Sequence, residues 1–381
     1  MKKLLAVLLS LVMVFSLASC GNNQTAVDDN VIRIGVFEPL TGASAAGGEM
    51  TLNGIKLANE IVPEVLGKKV QLYIVDNKSD KVEAANAVAR LIDKDKVVAI
   101  IGSYSSSLSM AAGDTVKNAK IPTVGCSPTN PLVTLNNDYY FRVCFIDPFQ
   151  GTVMAKYAVE KLGAKTAAII KDVQQDYSVG LSNYFIQAFK EITGNPDAIV
   201  EEISYNTGDT DFNAQLTAVK AKNPDVIFAP GNYGECALLI KQARDLGIKS
   251  TFLGGDTWEA PEFIEIGGEA VNGACYSAHF SAEKPFNETS EKFIKEFQAK
   301  YNKAPDTMAA CGYDAYLVII DAIARAEKAD SAAIRDAIAK TAGFMGCTGT
   351  ITLDANGDAV KPAVINTVEN GKFKFLTIVE P

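Results

Sequence analysis

Twice along this chain, short apolar runs rich in Val and Ile alternate with longer segments whose apolar residues fall at helical spacing, and that alternation leaves few folds open. Val31–Phe37, Val70–Val75, Val97–Ile101 and Ile121–Val124 read as strands; Met50–Val65, Lys81–Ile92 and Ser106–Asn118 read as helices with one apolar face. Strands separated by such helices pair in parallel and are covered on both sides. The pattern restarts after Asp147-Pro148. Strands are expected at Thr166–Ile170, Ile199–Ser204, Asp225–Ala229 and Thr251–Leu253, and helices near Ser178–Ile192, Phe212–Lys222 and Glu235–Leu246. The fold class is therefore α/β, with two doubly wound parallel-sheet lobes, and 381 residues fit two cores better than one.

The remainder departs from alternation. Glu288–Tyr301, Ala309–Lys328 and Ser331–Thr341 read as helices with no strand between them, so they are expected to cover the first sheet rather than build a third. A β-hairpin follows, Ala363–Val368 and Lys372–Ile378, around Asn370-Gly371. The chain then crosses between lobes three times, near Phe141–Asp147, Tyr276–Ser281 and Thr348–Asp354. Lobe 1 is expected to hold residues 31–146 plus 280–350, and lobe 2 residues 147–279 plus 351–381. Several crossings side by side act as a hinge.

The N-terminus reads as an export leader. Lys2 and Lys3 precede an apolar run, Leu4 to Leu17, that is short for a bilayer span and ends in Leu17-Ala18-Ser19-Cys20. That ending resembles a bacterial lipobox, which implies cleavage after residue 19, a lipid anchor on Cys20 and a polar tether over residues 20–30. Apart from the leader, no segment reads as long and apolar enough to enter a membrane. The expected location is the outer face of the cell membrane, or the periplasm. Losing Lys2 and Lys3 takes the net charge from −9 to −11. An acidic body with no basic run excludes nucleic acid, whose binding rests on neutralising phosphate.

Catalytic and metal chemistry lack their parts. Cys126, Cys144, Cys236, Cys275, Cys311 and Cys347 form no C-x-x-C, and the single His279 cannot complete a zinc site of usual spacing; buried free thiols are the expectation. No G-x-S-x-G presents a serine. Gly42-Ala43-Ser44-Ala45-Ala46-Gly47 has P-loop glycine spacing, but Gly48-Glu49 follows where Lys and a hydroxyl are required. Asp354-Ala355-Asn356-Gly357-Asp358 misplaces the glycine of a calcium loop and reads as a turn. Neither a cofactor nor an enzyme activity is expected.

What the chain does carry is two strand-to-helix junctions crowded with hydroxyls: Ile101-Gly102-Ser103-Tyr104-Ser105-Ser106-Ser107 and Gly125-Cys126-Ser127-Pro128-Thr129-Asn130-Pro131. Each lies at the carboxyl edge of a parallel sheet, where open α/β folds bind ligands. Helix N-termini there present free N–H groups suited to a carboxylate. Ser and Thr also serve simply as helix caps, but two such loops in one sheet point to a site.

These stretches, with Ile34-Gly-Val-Phe-Glu-Pro-Leu-Thr-Gly42, Gly208-Asp-Thr-Asp-Phe212, Gln242-Ala-Arg-Asp-Leu-Gly247 and Gly254-Gly-Asp-Thr-Trp258, resemble the leucine/isoleucine/valine-binding proteins of ABC importers, of the type I periplasmic-binding fold. The resemblance implies a monomeric solute-binding protein that closes on a branched-chain or other small hydrophobic amino acid and delivers it to membrane permease subunits. Ser106 and Thr129 would then bind the ligand carboxylate, Ser127 would offer its carbonyl to the ammonium, and Asp256 would pair with that ammonium. Tyr177 would close over the ligand, with Tyr104 and Tyr233 beside it. Two family tyrosines align to Gly47 and Asn232, with Tyr233 adjacent as a replacement for the second; a family cysteine pair aligns to Ser79 and Ser105. Trp258 is a further candidate for the pocket, with core packing as its other reading. Sensing of another small carboxylate or amide on behalf of a membrane receptor is the alternative.

Overall fold

A computed structural model describes residues 30–381; the leader, Cys20 and the tether before residue 30 lie outside the described residues. The first sheet contains β1 (Val31–Glu38), β2 (Glu64–Val65), β3 (Lys68–Asp76), β4 (Ala99–Ile101), β5 (Thr123–Gly125) and β6 (Tyr140–Arg142), in the order β2-β3-β1-β4-β5-β6. Strands β1, β4, β5 and β6 run parallel, and β2 is a short antiparallel return on β3. Helices α1 (Ala45–Ile61), α2 (Lys81–Asp93) and α3 (Ser106–Ala119) join them. Asp80 fixes the start of α2 by accepting from the backbone N–H of Val82 and Glu83.

The second unit threads α4 (Asp147–Lys156), β7 (Ala167–Asp172), α5 (Asp176–Thr193), β8 (Ile199–Tyr205), α6 (Asn213–Lys222), β9 (Val226–Phe228), α7 (Tyr233–Asp245), β10 (Thr251–Gly254), α8 (Pro261–Gly267) and β11 (Cys275–Ala278). Its five strands are parallel in the order β11-β10-β9-β7-β8. The wholly buried, apolar β4 and β9 show why such strands read as continuous runs rather than alternating ones. Both parallel-sheet lobes of the expected α/β class are present. Five of these elements escaped the sequence pattern: β2, β6 and β11, each of four residues or fewer, the short α8, and α4, whose run is interrupted by Gln150-Gly151-Thr152.

Helices α9 (Glu288–Tyr301), α10 (Thr307–Ala326) and α11 (Ser331–Ile338) return to the first sheet. Phe293, Phe297, Ile319, Ile323 and Ile338 bury in one apolar cluster with Ile34, Val36, Ile101 and Val124. Glycine makes this return possible: a Cβ on Gly54 of α1 would lie 1.8 Å from the carbonyl oxygen of Ala309, and one on Gly312 would lie 2.3 Å from that of Thr51. Backbone therefore meets backbone between α1 and α10. The expectation that only the leader is long and apolar enough for a membrane needs correction, because α10 passes that test by length and composition; most of its residues are buried as a core helix.

The last crossing also differs from expectation. Strands β12 (Phe344–Gly346), β13 (Gly349–Leu353) and β14 (Ala359–Val360) form a small antiparallel sheet. Ile351, Leu353 and Ala359 bury in the first lobe's cluster, so residues 351–360 belong with lobe 1 and the third crossing falls at Lys361-Pro362. Apolar alternation in β13 aims those side chains inward. Strand β15 (Ala363–Glu369) then extends the second sheet antiparallel to β11, and β16 (Lys372–Val379) pairs antiparallel with β15 at the edge. Their turn residues, Asn370 and Gly371, both have positive φ, as a two-residue hairpin with inward twist requires.

Candidate functional site

The two hydroxyl-rich junctions are stitched into one platform at the carboxyl edge of the first sheet. The Asn130 N–H donates to Ser106 Oγ at 3.1 Å, and Ser127 Oγ donates to the Tyr104 carbonyl at 3.1 Å. Ser105 precedes α3 in an extended conformation without capping it, so the first N–H groups of that helix take no bond from its side chain. Beneath the platform the Tyr104 N–H donates to Glu38 Oε2 at 2.7 Å. Burial pushes the Glu38 carboxyl up to about 8, so at neutral pH it is mostly protonated and presents little negative charge to the loop above it.

A cation supports the platform from behind. The fully buried Arg142 donates from Nη1 to the carbonyls of Pro128 at 2.6 Å and Asn130 at 2.8 Å, and from Nη2 to Thr134 Oγ1 at 2.7 Å. Its Nε pairs with Asp358 Oδ1 at 2.6 Å. Carbonyls of the 128–130 segment are thus drawn backwards, away from the cleft.

On the second lobe, Asp256 follows β10. Its carboxylate accepts from Gln150 Nε2 at 2.8 Å and Tyr177 Oη at 2.9 Å, both to Oδ1. His279 Nε2 lies 3.3 Å from Oδ2. Burial pushes the His279 imidazole below its usual range, so the ring is neutral at pH 7, and the acceptor-only carboxylate places its proton on Nε2. The His279 ring also packs against Phe145, with centroids 4.0 Å apart, so residues of the first two crossings touch beside Asp256.

The lobes are in contact. The Asp176 N–H donates to Ser107 Oγ at 2.9 Å, its carbonyl accepts from Asn130 Nδ2 at 2.9 Å, and its carboxylate pairs with Lys81 at 2.8 Å. Between them lies a cavity lined by Tyr104, Ser106, Ser127, Tyr177 and Asp256, five of the seven expected residues. Ser105, Gln175, Asn232 and Thr257 complete the lining and were not named as ligand residues from sequence.

The other two expected residues lie elsewhere. Thr129 is fully buried; its carbonyl accepts from the Asp147 N–H at 2.9 Å, and its hydroxyl, near the Asp147 carboxyl, has no hydrogen-bond partner. Burial pushes that carboxyl up to about 8 despite the Thr129 hydroxyl. Tyr233 lies outside the cavity lining; its hydroxyl donates to the Ala43 carbonyl at 3.2 Å and accepts from the Ala46 N–H at 3.2 Å, latching α7 to the start of α1. Trp258 is core, stacked on Phe263 with centroids 4.9 Å apart. Gln150 and His279 touch Asp256 yet carried no local motif, because they arrive from α4 and from a crossing. All six cysteines among the described residues are buried and unpaired.

A family model described as periplasmic binding protein matches residues 31–372. Among solved structures, a leucine binding protein, LivK, from Thermotoga maritima is 46% identical with a TM-score of 0.89, covering 92% of this chain and 99% of its own. The branched-chain amino acid transporter substrate binding protein LivJ from Streptococcus pneumoniae, solved in complex with isoleucine, is 33% identical with a TM-score of 0.86, covering 92% and 100%. A Pseudomonas aeruginosa relative named leucine-, isoleucine-, valine-, threonine-, and alanine-binding protein is 28% identical over 347 residues, 90% of this chain and 91% of its own.

Proposed function

Since the chain belongs to the periplasmic binding protein family, and so is a binding protein rather than an enzyme, we propose that it is the exported, lipid-anchored, monomeric solute-binding component of an ABC importer and takes an amino acid of the branched-chain type or of similar size. One observation carries this reading. Hydroxyls and free N–H groups from the first lobe, and the carboxylate of Asp256 from the second, line the same cavity from opposite sides. The first set suits an α-carboxylate and Asp256 suits an α-ammonium. Neither lobe satisfies a zwitterion alone, so the ligand favours the closed state by exactly its extra affinity for it. The permease would then meet both lobes only when the cleft is shut.

Small-angle scattering tests this mechanism on the mature chain. With saturating amino acid, the profile is expected to match the closed arrangement, and without it the radius of gyration is expected to be larger. Equal radii despite calorimetrically proven binding would refute closure. Anchoring at Cys20 rests on Leu17-Ala18-Ser19-Cys20. Detergent partitioning should place the wild type in the detergent phase and Cys20→Ser in water; both in water would refute the anchor.

A further inference from the structure

The cavity lining contains no aliphatic side chain: it comprises two tyrosines, three serines, a threonine, an asparagine, a glutamine and an aspartate. Most of their polar atoms are already committed within the protein, as described for Ser106, Ser127 and Tyr177; Thr257 Oγ1 likewise donates to the Gly231 carbonyl at 2.7 Å. Two are not. Tyr104 is 3% exposed, and its buried hydroxyl has no hydrogen-bond partner. Asn232 is 8% exposed and occupies the position before α7 in an extended conformation, where asparagine ordinarily caps, yet its side chain makes no cap bond.

Packing holds the Tyr104 ring in this place. It shares an apolar cluster with Met50 and Met308. It also lies so close to α1 that a Cβ on Gly47 would come within 2.4 Å of its Cε2. The absent side chain at Gly47 is therefore the room that Tyr104 fills. A buried hydroxyl without a partner is destabilising, and a ligand group that bonds to it relieves that cost. With the α-carboxylate and α-ammonium assigned to Ser106, Ser127 and Asp256, the ligand side chain is the group left to satisfy the buried Tyr104 hydroxyl, with the Asn232 amide beside it in the lining.

We propose that this cavity reads a hydrogen-bonding group on the ligand side chain, so that the protein prefers an amino acid with a short hydroxyl or carboxamide side chain over its aliphatic counterpart. This inference rests on the amino-acid reading above and narrows it.

Valine and threonine match in shape, as do leucine and asparagine, and each pair differs in a hydrogen-bonding group. The mature chain, stripped of ligand by unfolding and refolded, is titrated calorimetrically with all four. At least one polar member is expected to bind about tenfold or more tighter than its aliphatic partner. Tyr104→Phe should bring the members of that pair within about threefold of each other. If valine and leucine bind as tightly as threonine and asparagine, the inference is overturned while the amino-acid reading stands. If no α-amino acid binds, both fall. A ratio that survives Tyr104→Phe removes Tyr104 as the reader. Should that variant fail to fold, the wild-type pairs alone decide.

Discussion

Replacing Asp256 with Ala is expected to weaken binding of the best-bound amino acid by about 30-fold to several thousandfold, the range that follows from removing one partner of a desolvated charge pair at about 2–5 kcal/mol. The alanine variant also strands three neighbours, since Gln150, Tyr177 and His279 all lose their shared partner. Asp256→Asn separates the two effects. Its amide oxygen can still accept from Gln150 and Tyr177, so folding is preserved, while the charge that would meet an ammonium is gone. Calorimetry on the asparagine variant, with circular dichroism as a check on folding, is the measurement. Binding within about threefold of wild type would mean that the ammonium is held elsewhere.

The largest stability effect is expected at Arg142. Its guanidinium is wholly buried, pairs with Asp358, and draws in the carbonyls of Pro128 and Asn130. Arg142→Met leaves the buried Asp358 carboxylate with the Thr134 hydroxyl as its side-chain partner and no cation paired to it. Breaking such a pair from one side costs about 3–5 kcal/mol, because the surviving charge is uncompensated. Thermal melts should show a drop of several degrees, and the combined Arg142→Met, Asp358→Leu variant should recover much of it. The single variant should also bind amino acid more weakly, because the Ser127–Asn130 loop loses its backing. A single variant that melts within about 1 °C of wild type would show that the pair adds little.

Legibility in the sequence followed the range of the interactions. Strands β1, β8 and β10 and helices α2, α3 and α9 were readable within a residue or two, because a run of Val and Ile or a helical period is a local signal. The platform was also readable, since Ser105, Ser106 and Ser127 sit directly after strands. Asp256 came through a resemblance rather than through spacing. Its supports did not come through at all: Gln150 lies 106 residues away in sequence, and His279 only turns toward it because a crossing ends there. Thr129 is a different case: it has the expected chemistry in the expected loop, but it lies behind the cavity lining, with its carbonyl bonded by the Asp147 N–H and its buried hydroxyl without a hydrogen-bond partner. The displaced third crossing has a similar cause, since Ile351 and Leu353 are buried by helices that no local pattern connects to them.

The close meeting of α1 with α10 bears on how this chain can be assembled. All six strands of the first sheet have been made by Arg142, yet one face of that sheet is covered only in part, by Leu52, Ile55 and Ala58 of α1, until α10 and α11 exist, nearly two hundred residues later. A fragment ending at the first crossing therefore has every strand of a domain without being a domain. Its Ile34, Val36 and Ile101 would lose the part of their cover that Ile319, Ile323 and Ile338 supply, leaving apolar surface open to water or a neighbouring chain. Contacts of such long sequence separation form slowly, because loop entropy is lost before any burial repays it. The packing of Gly54 against Ala309 and of Gly312 against Thr51 ties the start of the chain to its late helices, so the lobe begun first is the one that has to wait for residues near the other end.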